Sequence, residues 1–304
     1  MIAIAQARSE LARAFPELPL RSVRLLAGGW DFLTVEVNRR WVFRFPGRPA
    51  MARRLGREFS LLPLLGRRLG VPVPEYRFRW EPTRTCPHRI GGYARLPGVR
   101  FDRAGLSRPG LERVGQELGD AVRKLHRVPA ADAVAAGLPF RTPRAVRNGV
   151  LRWCRRVRAH ASPLLNSRSR GQFDRLVRRL ASSDLPSFSS VVTHNDLLPP
   201  HVLVDPRSGA LTGVIDWGDV EFGDPAFDFG VMGARPHLGP AMIRAYGVPP
   251  DPGFFERADA YRRLVASHAV VHAIETRDPL LRSRGLRAFA RALASPGPAA
   301  EHVR

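Results

Sequence analysis

The residues best suited to chemistry are gathered between His194 and Asp228. That window holds seven acids (Asp196, Asp205, Asp216, Asp219, Glu221, Asp224 and Asp228) against one base, Arg207, a formal charge of −6 in a chain whose total is +22. Carboxylates grouped in this way can hold a divalent cation, take up a proton or receive a cationic ligand. Apolar runs interleave with the acids, which argues against a solvated acidic loop. His194 and His201 lie in the same window, but no thiolate or third ligand is spaced to complete a zinc site. Asp205 precedes Pro206-Arg207-Ser208-Gly209 and suits a turn cap, while Asp224 and Asp228 suit helix N-caps. Asp219 and Glu221 are left without a structural duty. They predict attraction for an amine-bearing ligand.

The elements that must position these residues follow from periodicity. Residues 4–15 pattern as a short amphipathic helix. Val23–Ala27, Asp31–Val37 and Trp41–Phe45 read as strands, with Asn38-Arg39-Arg40 as a tight turn. Pro49–Leu69 reads as a helix with Leu55, Phe59, Leu62 and Leu65 on one face, and Pro63 is expected to kink or end it. Strands are predicted near Glu75–Trp80 and His88–Arg95, followed by a hinge at Leu96-Pro97-Gly98. The pattern then turns helical, at Leu111–Val128, Pro143–Ala161, Gly171–Ala181, Pro240–Tyr246, Pro252–Val271 and Pro279–Leu293. Three short strands interrupt it, Ser190–Thr193, Val202–Val204 and Thr212–Ile215, and the acids fall on the loops between them. In the third N-terminal strand, alternation puts Val42 and Arg44 on one face. That face should be buried, so Arg44 needs an anionic partner. The only acid between Pro49 and Pro74 is Glu58, and an Arg44–Glu58 pair competes with a surface pairing of Glu58 to Arg57.

Composition bounds the rest. The chain has 304 residues, 44% of them hydrophobic and 25% charged, as in globular proteins. No run approaches the ~20 apolar residues that span a bilayer, and the N-terminus does not pattern as a signal peptide. Two cysteines, Cys86 and Cys154, exclude a disulfide framework and suit the cytoplasm. Lys124 is the single lysine among 49 basic residues. This arginine bias is spread along the chain and matches compositional pressure better than a nucleic-acid footprint. Nucleic acid and membrane are therefore not expected partners.

The segment His194-Asn195-Asp196, then His201, then Gly213-Val214-Ile215-Asp216-Trp217-Gly218-Asp219, then Gly223-Asp224-Pro225-Ala226-Phe227-Asp228 resembles the aminoglycoside phosphotransferase family of kinase-like small-molecule kinases. Its catalytic motif is most similar to the 2″-type aminoglycoside and some macrolide kinases. The resemblance implies an α+β, protein-kinase-like two-lobe fold: a small β-rich nucleotide-binding lobe over 1–95 and a larger, mainly helical catalytic and acceptor-binding lobe over 96–304. It implies transfer of the terminal phosphate of ATP or GTP, with Mg²⁺, to a hydroxyl of a small acceptor, an antibiotic of the aminoglycoside, macrolide or nucleoside type. Asp196 would receive or orient the hydroxyl proton, and Asp216 and His201 would hold the metal. Most of the family has asparagine at the position of His201. Arg44 would hold nucleotide phosphates beside Glu58, Gly28 and Gly29 would cover the phosphates, and the main chain at Ala94 and Leu96 would meet the purine. The resemblance also has His194, Asp224 and Asp228 brace the catalytic loop. The acceptor is expected near 240–290, where Glu256, Asp259, Glu275 and Asp278 are candidate contacts or merely solvated. The competing readings are a metabolic kinase for a sugar or amino-alcohol, and a catalytically silent nucleotide- or nucleic-acid-binding module.

Overall fold

The computed structural model describes residues 3–28, 31–84, 86–182, 187–249 and 251–295. The first helix, α1 (Ile4–Ala14), lies against an antiparallel sheet of five strands, β1 (Val23–Gly28), β2 (Phe32–Val37), β3 (Trp41–Pro46), β4 (Tyr76–Trp80) and β5 (Ile90–Ala94), in the order β1-β2-β3-β5-β4. Asn38 and Arg39 both take positive φ (55° and 56°), as a two-residue hairpin turn that follows the strand twist requires. The central strands β2 and β3 are buried on both faces. Phe43 and Phe45 pack with Leu11 and Phe15 of the α1 segment. Val42 and Arg44 face the other way, toward α2 (Pro49–Arg68).

The predicted row Leu55, Phe59, Leu62 and Leu65 of α2 is buried. Pro63 does not end this helix, which continues as one element to Arg68. Its missing N–H leaves a single carbonyl without its helical donor. Leu62, Leu65 and Leu69 are buried on either side and hold the following turn against the core.

After the hinge come β6 (Val99–Arg100), α3 (Arg108–His126), α4 (Ala130–Ala135), α5 (Pro143–His160), α6 (Ser167–Ala181), β7 (Val191–Thr193), β8 (Val202–Val204), β9 (Leu211–Val214), β10 (Glu221–Gly223), α7 (Leu238–Tyr246), α8 (Phe254–Glu275) and α9 (Pro279–Ala294). β6, α4 and β10 are too short to leave a periodic signal. The strand β6 pairs with β8, and β10 pairs with β7, so the hinge and the acidic window are stitched into two small sheets. Close packing of α3 on α7 depends on Gly115 and Gly119. A Cβ at these positions would stand 2.3 Å from the Leu238 carbonyl oxygen and 2.2 Å from that of Met242. Among the described residues, no helix is long and apolar enough to cross a membrane.

Candidate active site

The core of the site is an arginine in the sheet. Arg44 is 5% exposed and Glu58 1%. Arg44 Nη1 donates to both Glu58 oxygens at 2.8 Å, and the Tyr76 hydroxyl donates to Glu58 Oε2 at 2.8 Å. The other fork of the guanidinium, Nη2, donates to Asp216 Oδ1 at 2.7 Å. A buried guanidinium is tolerable only when its donors are matched by carboxylates, and here two are supplied from different lobes. Glu58 pairs with Arg44, and the competing Arg57 partnership is not made.

Asp216 closes the β9 strand and takes a left-handed backbone conformation, φ 64°. Burial pushes its carboxyl up, but Arg44, His201 and His194 outweigh that and hold it below the usual carboxylate range. Its second oxygen, Oδ2, stands 3.5 Å from His201 Nε2. His201 Nδ1 lies 2.7 Å from the Asp196 carbonyl oxygen, which can only accept, so Nδ1 carries the proton. The other ring nitrogen, Nε2, is thereby turned toward Asp216. Asp196, His201 and Asp216 each offer a ligand atom, all within 4.8 Å of one another. Two hard carboxylates and one oriented imidazole fit a divalent cation.

Asp196 follows Asn195, whose φ of 65° is also left-handed. Such a conformation at a non-glycine residue must be held by its surroundings. Asp228 does this: its oxygens accept from the main-chain N–H groups of His194 and Asn195, both at 2.9 Å, and from His126 Nε2 at 3.1 Å. His194 sits beneath, with Nε2 donating to the Ile215 carbonyl at 3.1 Å and Nδ1 accepting from the Asp196 N–H at 3.3 Å. Burial depresses its pKa to about 4, so it is a neutral brace rather than a proton carrier. Burial raises the Asp196 carboxyl. His201 opposes this and Asp219, Asp216 and Asp228 add to it, leaving the pKa at about 7.

The two aspartates expected to cap a helix divide the work. Asp224 caps the short turn of helix at Pro225–Phe229 by accepting from Ala226 N, and also holds α8 through Arg257 and Tyr261. Asp228 caps nothing and braces the loop. Asp205 accepts from Arg207 N and Ser208 N, as a turn cap should.

The expectation for Asp219 and Glu221 is corrected. Neither is spare: Asp219 pairs with Arg54 of α2, and Glu221 pairs with Arg141. The acids near 240–290 are likewise engaged, Glu256 by Arg179, Asp259 by Arg262 and Arg263, Glu275 by Arg156, and Asp278 as the cap of α9. Arg44, Glu58, Asp196, His201 and Asp216 thus meet in one place. Gly28 ends β1 opposite Leu33, and Gly29 lies outside the described residues. Ala94 ends β5, and Leu96 packs on Gly213 in the hinge. Tyr76, His126, Arg54 and Arg141 were not singled out from sequence. His126 closes the clearest helical repeat, but one arginine among 48 gives no signal of its own.

A small antiparallel sheet set over a helical lobe, with a buried arginine linking the two at a carboxylate cluster, is the architecture of the kinase-like phosphotransferases. Residues 22–264 match the profile of the phosphotransferase enzyme family. The viomycin phosphotransferase of Streptomyces vinaceus is 29% identical over 279 residues, covering 88% of this chain and 92% of that one. Among solved structures, the GDP complex of wild-type aminoglycoside 2'-phosphotransferase-IIIa superposes with a TM-score of 0.84 at 23% identity, over 96% of this chain and 99% of that one. The macrolide 2'-phosphotransferase MphH from Brachybacterium faecium gives 0.67 at 26% identity, over 95% and 97%. The chain belongs to the phosphotransferase enzyme family, and it is a nucleotide-dependent kinase.

Proposed function

We propose that the protein transfers the terminal phosphate of ATP or GTP to a hydroxyl of a small antibiotic-like acceptor, with residues 1–95 binding nucleotide and 96–304 supplying catalysis and acceptor binding. The observation that carries this reading is the contact of Arg44 with both Glu58 and Asp216. It places a permanently charged, bidentate phosphate ligand beside the carboxylate best suited to hold a cation. The relatives named for viomycin and macrolides support an antibiotic acceptor. The buried, unpaired cysteines suit a reducing cytoplasm.

In this reading Asp196 orients the acceptor hydroxyl and takes its proton as the oxygen attacks the terminal phosphorus. The bond from that phosphorus to the bridging oxygen breaks, and the nucleoside diphosphate leaves. Arg44 offers its Nη2 fork to the phosphates while Glu58 and Tyr76 keep its Nη1 edge in place. Asp216 and His201 would hold Mg²⁺, which neutralises phosphate charge when bound. Gly28 and Gly29 would cover the phosphates and the main chain at Ala94 and Leu96 would meet the purine. A screen of hydroxylated antibiotics with ATP and GTP, read by mass spectrometry for a phosphate adduct, tests the proposal. Nucleotide turnover with no adduct on any acceptor would overturn it.

A further inference from the structure

Beside the carboxylate cluster, a cavity of about 570 Å³ opens between α2 and the segment that follows α4. This is within the size range of small-molecule sites. One wall is arginine: Arg53, Arg54 and Arg57 of α2. The opposite wall is apolar, from Val134, Leu138 and Pro139. The cavity adjoins the site through Arg54, whose ion pair with Asp219 lies three residues past Asp216.

The three guanidiniums are not balanced. Arg57 lies one turn from both Arg53 and Arg54, so like charges face one another along the helix. The carboxylates that act on Arg57 are Glu221, Asp219 and Glu58. Each is already engaged, by Arg141, Arg54 and Arg44 respectively. Arg57 is half-buried and has no ion pair among the described residues. Burial, with Arg54 adding to it, holds its pKa below the usual arginine range. A guanidinium does not escape by losing its proton, so an anion from outside the chain would relieve this arrangement.

We propose that this cavity binds an oxyanion, a carboxylate or phosphate group, on the fork of Arg57 with Arg53 beside it, and that the apolar wall takes the organic body carrying that group. The proposal rests on the phosphotransferase reading and extends its acceptor site from the helical lobe across to α2, where the cavity would select an acidic or oxyanion-bearing acceptor. It reverses the charge preference read from the acidic window alone. Arg54 stays with Asp219 and closes the end nearest the chemistry.

The test uses the full chain with its nucleotide site filled by a non-hydrolysable ATP analogue and Mg²⁺, so that Arg44 is not the probe's target. Inorganic phosphate is titrated and followed by calorimetry and by the arginine Nε–H resonances. Saturable binding is expected, weakened about tenfold or more in Arg57→Gln, less in Arg57→Lys, and by added salt. Nucleotide affinity and melting temperature should stay as in the wild type. A second arm compares hydroxylated acceptors bearing a free carboxylate with their methyl esters. Competition between phosphate and the free acid places the oxyanion on the acceptor, and saturable phosphate binding without competition assigns the cavity to a free anion. No saturable binding to the loaded protein, or binding indifferent to Arg57→Gln, overturns the proposal. Failure of the phosphotransferase reading would instead appear as nucleotide turnover with no phosphate adduct on any acceptor, whatever inorganic phosphate does.

Discussion

Arg44 and Arg54 stand ten residues apart, and each ties the sheet lobe to the same acidic segment, Arg44 through Asp216 and Arg54 through Asp219. Their settings differ. The Arg44 side chain is 6% exposed and completes its hydrogen bonds with Glu58. Arg54 and Asp219 are 32% and 39% exposed, and water competes for both. Removing one partner of a buried pair strands a charge, at about 3–5 kcal/mol. Breaking an exposed pair changes stability by roughly 0–1 kcal/mol. The Arg44–Glu58 pair that anchors the first contact is therefore obligatory for the fold and the site, whereas the Arg54–Asp219 pair adds little to stability.

The sharpest way to break this comparison is at its buried end. Glu58→Gln should destabilise the protein by about 3–5 kcal/mol and weaken nucleotide binding, measured by denaturant unfolding and calorimetry. Asp216→Asn should weaken metal-dependent nucleotide binding and lower kcat/KM roughly a hundredfold or more. If both variants behave like rim substitutions, burial of Arg44 has no bearing on function.

A smaller effect is expected from pH. In the metal-free protein the Asp196 carboxyl should titrate at about 7, because burial and the neighbouring carboxylates disfavour its charge. Asp216 should titrate below the usual range. Carboxyl NMR separates them. The proton-accepting form of Asp196 grows as pH rises through 7, so activity should climb toward neutrality. Saturating cation should move that limb to lower pH. A free Asp196 titrating near 4 would contradict the account.

His201→Asn should be milder still, within about tenfold in kcat/KM, one pKa unit's worth of free energy, because an amide oxygen can replace Nε2 as a cation ligand. Least of all, Asp219→Asn should alter stability by under about 1 kcal/mol, an effect that fades with salt. A large loss at Asp219 would show that the rim pair is structural after all.

The buried half of the site was legible in the sequence because buried charge restricts what can surround it. Strand alternation put Arg44 inside, and α2 offers one acid to meet it. Asp196, His201 and Asp216 were located by the resemblance of the loop motif to a known family, and the apolar runs around the two carboxylates agreed with it. The rim was not legible. Arg54 and Arg141 come from distant elements, and nothing in an arginine-rich chain distinguishes the arginine that meets Asp219 from its neighbours. Pro63 does not end α2, where Leu62 and Leu65 are buried on either side of the one lost hydrogen bond. The strand β10 escaped because its three residues are defined by pairing with β7 rather than by any pattern of their own.

The central claim is that Asp196, held by Asp228 and His194 and facing Asp216, receives the acceptor's proton. The direct measurement is the rate of phosphate-adduct formation by Asp196→Asn against wild type, with nucleotide affinity measured on the same samples. The account predicts a fall of at least ~10²-fold with nucleotide affinity largely kept. A folded variant that binds nucleotide and phosphorylates its acceptor at the wild-type rate would contradict it.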